Sequence, residues 1–168
     1  LITNNQQSKQ TTINKDISIS GIGLHTGVKT TATFKPAPEN FGIRFKRQDL
    51  ENCPEIVADI DHVLDISRGT TIGQSNFRIH TVEHILSAVF GLQIDNILIE
   101  LTDKEPPVMD GSARPFVDVL LQSGIQTQKT PRNELVIDKT ITYSDSDREV
   151  DIHILPSDKF RVTYMTDY

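Results

Sequence analysis

Apolar and polar residues alternate with a period of two over much of the first half of the chain. Ile17 and Ile19 alternate with polar neighbours, Val28, Thr30, Ala32 and Phe34 do so again, and Ile43 and Phe45 follow. This spacing predicts strands with one buried face. Pro36-Ala37-Pro38 and Asn40-Phe41-Gly42 interrupt it where turns belong. The 59–79 stretch is less regular, and its polar cluster Ser67-Arg68-Gly69-Thr70-Thr71 reads as an exposed loop leading into a short strand. The period then changes. Val82, Ile85, Leu86 and Val89 fall at helical spacing, with Thr81 as the predicted cap and Gly91 as the stop. Alternation returns from Ile94 to Leu101. A second helix is predicted from a Ser112 cap, with Pro115 in its first turn, and Phe116, Val117, Leu120 and Leu121 form its apolar face before Gly124.

Two apolar helix faces need a sheet face to cover them. The expected fold of residues 13–127 is therefore α+β, a two-layer sandwich of a mainly antiparallel sheet of about five strands with two helices. Residues 1–12 are polar, rich in Gln, Asn and Thr, and read as a disordered leader. Beyond a linker at 127–132, Leu135, Ile137 and Ile141, then Val150, Ile152 and Ile154, then Phe160, Val162 and Tyr164 predict three strands and no helix. A sheet without a covering layer cannot bury a core. Residues 132–168 are thus expected to be the start of an incomplete second domain, whose open edges would pair with another copy in a homodimer or with the surface of the first domain.

Composition narrows the partners. A net charge of −6 over 168 residues argues against nucleic acid, which demands a basic footprint. The single cysteine, Cys53 beside Pro54, reads as a small half-buried residue, since one thiol makes neither an internal disulfide nor a paired metal site. No apolar run approaches a membrane span and no signal-peptide pattern opens the chain, which sets a cytoplasmic expectation.

Chemistry concentrates in His80-Thr81-Val82-Glu83-His84. Glu83 and His84 are predicted in the first helical turn, where the dipole favours an ionised carboxylate and a neutral imidazole. A neutral imidazole can ligate a metal, and a neighbouring carboxylate can take a proton from metal-bound water. The same residues also read as a solvent-facing helix start. They match H-x-x-E-H as well, the signature of a zinc-protease class whose two histidines both bind zinc from mid-helix. Here the predicted helix begins only at Thr81, and the downstream region reads as strands rather than as a ligand-bearing helix.

Two further clusters stand out. Gly21-Ile22-Gly23-Leu24-His25-Thr26-Gly27 joins strand to strand, so it fails the dinucleotide fingerprint and reads as a turn whose glycines accept positive φ. His25 at its tip is a candidate to border a site. In Glu105-Pro106-Pro107-Val108-Met109-Asp110-Gly111-Ser112, Asp110 reads as a turn acid before the second helix. His62 and His153 read as ordinary surface or half-buried residues.

The order of Gly21-Ile22-Gly23-Leu24-His25-Thr26-Gly27, Thr81-Val82-Glu83-His84, Ile94-Asp95-Asn96-Ile97-Leu98-Ile99-Glu100 and Pro107-Val108-Met109-Asp110-Gly111-Ser112-Ala113-Arg114-Pro115-Phe116 resembles one family, the UDP-3-O-acyl-N-acetylglucosamine deacetylases of lipid A synthesis. The similarity runs from about Thr11 to the end of the chain. The resemblance implies two similar α+β domains with the active site between them. It makes His84 a Zn2+ ligand and Glu83 the general base, leaves His80 without a ligand role, and puts His25 near the site. It places Ser67, Arg68, Gly69 and Thr70 along the metal and substrate cleft, although Arg68 and Gly69 stand where other members carry apolar residues. The substrate it implies is a UDP-linked acylated glucosamine. The family's other zinc ligands, a His and an Asp of an H-K-x-x-x-D type motif, do not occur in this sequence, so the isolated chain is expected to be inactive. A non-catalytic binding module that kept the fold is the remaining alternative.

Overall fold

The computed structural model describes residues 8–74 and 77–166. They form two compact units, one running to Arg132 and one from Asn133 onwards. In the first unit the strands are β1 (Lys9–Ile13), β2 (Ile17–Ile22), β3 (Lys29–Pro36), β4 (Ile43–Arg47), β5 (Glu55–Val57), β6 (Val63–Asp65), β7 (Thr71–Gln74) and β8 (Phe77–Ile79). Helix α1 (Glu83–Gly91), β9 (Ile97–Leu101), helix α2 (Arg114–Ser123) and β10 (Ile125–Pro131) complete it.

The main sheet has the order β2-β3-β9-β4-β5, antiparallel throughout except for the parallel β4–β9 pair. Alternation along β3 buries Thr30, Ala32 and Phe34. Ala32 and Phe34, together with Phe45, Ile97, Ile99 and Leu101, form one apolar face under Ile85, Ala88 and Val89 of α1 and Phe116 and Leu120 of α2. Phe34 meets Phe116 edge-on at 6.4 Å between ring centroids. The opposite face is polar: Ser18 pairs with Thr33 at 2.9 Å, Ser20 pairs with Thr31 at 2.8 Å, and Lys35 pairs with Glu100 at 2.8 Å. The expected α+β sandwich of a mainly antiparallel sheet and two helices is the observed fold.

The ends of the elements differ from expectation in instructive ways. Residues 9–12, assigned to a disordered leader, lie in strand β1 (Lys9–Ile13), and the expected 127–132 linker lies largely in its partner β10; residues 1–7 fall outside the described residues. The polar side chains of β1 have buried partners. Asn96 donates to Gln10 Oε1 at 2.9 Å and to Gln128 Oε1 at 2.7 Å, while Thr12 donates to the Asn96 carbonyl at 2.6 Å. Val82 and Ala113, not the predicted Thr81 and Ser112, occupy the cap positions, although the Ser112 hydroxyl still accepts from Arg114 N at 3.1 Å at the start of α2. Helix α2 does stop at Gly124, but α1 runs through Gly91, and the left-handed residue after it is Gln93 at φ 56°. The irregular 59–79 stretch contains a small sheet in the order β6-β7-β8.

The second unit holds one antiparallel hairpin, β11 (Ile141–Asp145) with β12 (Val150–Ile154). No strand forms around Leu135 or from Phe160 to Tyr164, contrary to the three-strand expectation. A strand forms only where a neighbouring segment takes up its backbone hydrogen bonds in register. Ile141, Tyr143, Ile152 and Ile154 of the hairpin are exposed. No helix among the described residues is long and apolar enough to cross a membrane.

Candidate active site

Four segments of the first unit converge on a cleft of about 570 Å³. The β2–β3 turn contributes His25 and Thr26, and the β6–β7 loop contributes Arg68 and Gly69. The approach to α1 adds His80 and Thr81, and the loop after β9 adds Asp103 and Lys104.

A buried acid holds these segments together. Glu105 is 0% exposed, and its carboxylate accepts from Thr81 Oγ1 at 2.7 Å, Thr26 N at 2.9 Å and His25 N at 3.0 Å. Burial pushes its carboxyl upward, but the bonds from Thr81, Thr26 and His25 outweigh that and hold it below the ordinary value. The turn can lie this close because residue 23 has no side chain: a Cβ on Gly23 would stand 2.7 Å from Glu105 Oε2. Of the glycines in the 21–27 turn only Gly27 has a positive φ, so close approach rather than turn geometry explains Gly23. Thr81 sits at φ 56°, and its hydroxyl bonds Glu105 instead of capping the helix.

Glu83 and His84 open α1, both half-buried. Adjacent helical positions diverge by about 100°, and the two side chains meet different surroundings. Glu83 Oε2 accepts from Thr70 N at 2.9 Å, which ties it to the β6–β7 loop. His84 acts on Asp110, whose carboxyl is held below its ordinary value by the Ser112 hydroxyl first, then by the Ser112 amide, and more weakly by His84. Neither side chain lines the cleft itself, but Glu83 lies against Gly69, which does.

The remaining candidates separate. His25, Arg68 and Gly69 line the cleft, and Thr70 reaches Glu83 through its amide. Ser67 does not line it, since its amide and hydroxyl both bond Asp65 at 3.0 Å. His80 precedes α1 and shares a 3.0 Å hydrogen bond with Thr71, so the mid-helix H-x-x-E-H arrangement is not formed. Burial, reinforced by the charges of Lys104 and Arg78, lowers the His80 pKa. Cys53 is half-buried near the β4–β5 turn, His62 bonds Asp59, and His153 is exposed. Patterning missed Glu105, because an acid after a strand and before two prolines reads as a surface turn. Among the described residues no three His, Cys, Asp or Glu side chains come together as a group that could hold a metal ion.

Comparison with known proteins agrees on one family. The family profile for UDP-3-O-acyl N-acetylglycosamine deacetylase matches residues 10–168. A bifunctional LpxC/FabZ enzyme from Chlorobaculum tepidum is 55% identical over 95% of this chain and 34% of its own length. UDP-3-O-acyl-N-acetylglucosamine deacetylases from Myxococcus xanthus and Saccharophagus degradans are 39% and 42% identical over 95% of this chain, and 50% and 52% of their own lengths. The chain therefore spans about a third to a half of the relatives it matches. With the motifs around His25, Glu83 and Asp110 inside the matched region, the chain belongs to the UDP-3-O-acyl-N-acetylglucosamine deacetylase family.

Proposed function

We propose that this chain supplies the general-base half of a zinc-dependent deacetylase that hydrolyses the N-acetyl group of UDP-3-O-acyl-N-acetylglucosamine in lipid A synthesis. In this reading Glu83 accepts the proton of the attacking water. The amide C–N bond breaks, releasing acetate and leaving a free amine on the sugar. His84 is one zinc ligand, and the others come from residues outside this chain. The observation that carries the reading is the Glu83 carboxylate, half-buried at the start of α1 and clamped by the Thr70 amide next to the cleft. A base held in one orientation loses less freedom on reaching the transition state.

A catalytic zinc normally has three protein ligands, and in this reading His84 is the one assigned to this chain. Acetate release by the isolated chain is therefore expected to be negligible. A chimera joining this chain to the remaining residues of the Chlorobaculum tepidum relative is expected to be active on the acylated UDP-sugar. A folded, zinc-loaded chimera without activity would overturn the proposal.

His80 separates this reading from the zinc protease. Its ring bonds Thr71 and lies before the helix, so His80→Ala is expected to leave the zinc content of the chimera unchanged. Loss of zinc would favour the protease. The hairpin β11–β12 presents exposed apolar residues and open edges. The isolated chain is accordingly expected to run as a dimer in light scattering, and a monomer at all concentrations would count against edge pairing.

A further inference from the structure

We infer that Gly69 is a positioning residue for Glu83, and that its missing side chain is what lets the carboxylate rest on the β6–β7 loop beside the cleft. This goes beyond the general-base reading by naming the backbone element that holds the base. Only its functional consequence rests on that reading.

Three observations converge. Gly69 lines the cleft and adopts φ 135°, a conformation that side-chain-bearing residues rarely take. A Cβ at this position would stand 2.9 Å from Glu83 Oε1, 3.6 Å from Oε2 and 3.7 Å from Cδ. The next residue, Thr70, donates its amide to Oε2 at 2.9 Å. One carboxylate oxygen is thus fixed by an amide, and the other lies against the open side of a glycine. The atom that a new methyl would strike is the tip of a flexible side chain, so the fold gives way least and the carboxylate most. Substitution at 69 would turn Glu83 aside and break the Thr70 bond while the core of the unit stays intact.

Strain and displacement can be told apart within this chain. Gly42 also has a positive φ, 75°, but a Cβ there meets nothing within 4 Å. Gly42→Ala therefore reports backbone strain alone.

The test is a set of thermal melts with an NMR readout on the chain itself. Gly69→Ala is expected to lower the melting temperature more in the parent than in a Glu83→Ala background, where nothing remains to be struck. Gly42→Ala is expected to lower it equally in both. In labelled protein the through-hydrogen-bond coupling between Thr70 nitrogen and Glu83 Cδ is expected in the parent and in Gly42→Ala, and to vanish in Gly69→Ala. Equal melting losses in both backgrounds, or a coupling retained in Gly69→Ala, would overturn the inference. If Gly69→Ala does not fold, recovery of folding in Gly69→Ala/Glu83→Ala supports it, and failure to recover overturns it. Turnover is not read here, so a failure of the general-base assignment leaves these outcomes unaffected.

Discussion

Glu105→Ala is expected to lower the stability of the first unit by about 3–5 kcal/mol, a fall in melting temperature of roughly 10 °C or more. The residue is 0% exposed and binds three donors from two separate segments: the Thr81 hydroxyl and the amides of Thr26 and His25. Truncation leaves those donors without their acceptor, and hydrogen bonds to a charged group contribute about 1.5–3 kcal/mol each, though not additively. Glu105→Gln keeps the volume but turns an NH2 toward N–H donors, so it is expected to lose about 2–3 kcal/mol.

The pH dependence has a definite sign. The folded carboxyl of Glu105 is held below its ordinary value of 4.5. Its contribution is therefore complete above that value and is lost as pH falls from 4.5 through the lower folded value. Thermal melts of the parent should drop over that acid window, and those of Glu105→Gln should flatten there. A parent curve no steeper than the variant's would remove Glu105 from its role as the tie between the 21–27 turn and the start of α1.

Glu83→Gln is expected to reduce turnover of the active chimera by about 10²- to 10⁴-fold, the usual range for loss of a positioned general base. The amide is nearly isosteric, and its oxygen can still accept from Thr70 N, as Oε2 does at 2.9 Å. Folding and KM should therefore change little, with the loss confined to kcat. Steady-state kinetics decide it: a loss expressed mainly in KM would mean that Glu83 binds substrate rather than takes a proton.

What could be read from the sequence followed the apolar pattern. Ala32 and Phe34 on a strand, and Ile85, Val89, Phe116 and Leu120 on helices, repeat at the periods of their elements and are all buried. That was enough for the fold class. Strand β1 buries Gln10 and Thr12, satisfied by Asn96 rather than by apolar neighbours, and Ile13 is its one apolar residue in the core. Hydropathy has no means of registering a strand that faces a buried amide network. Glu105 escaped for the same reason, since its burial depends on donors 24 to 80 residues away in sequence. Thr81 looked like a cap because a hydroxyl before an apolar helix usually is one; here it donates a hydrogen bond to Glu105 instead. Of the site, Glu83 and His84 were legible from residue type and position at the helix start. The contact between Glu83 and the β6–β7 loop was not, because it depends on a φ of 135° at Gly69.

Zinc content and turnover, measured together on the chimera and two variants, test the central assignment most directly. His84→Ala is expected to lose both bound zinc and activity, whereas Glu83→Gln is expected to keep its zinc and lose only activity. Zinc and turnover surviving in His84→Ala, or full turnover in Glu83→Gln, would contradict it.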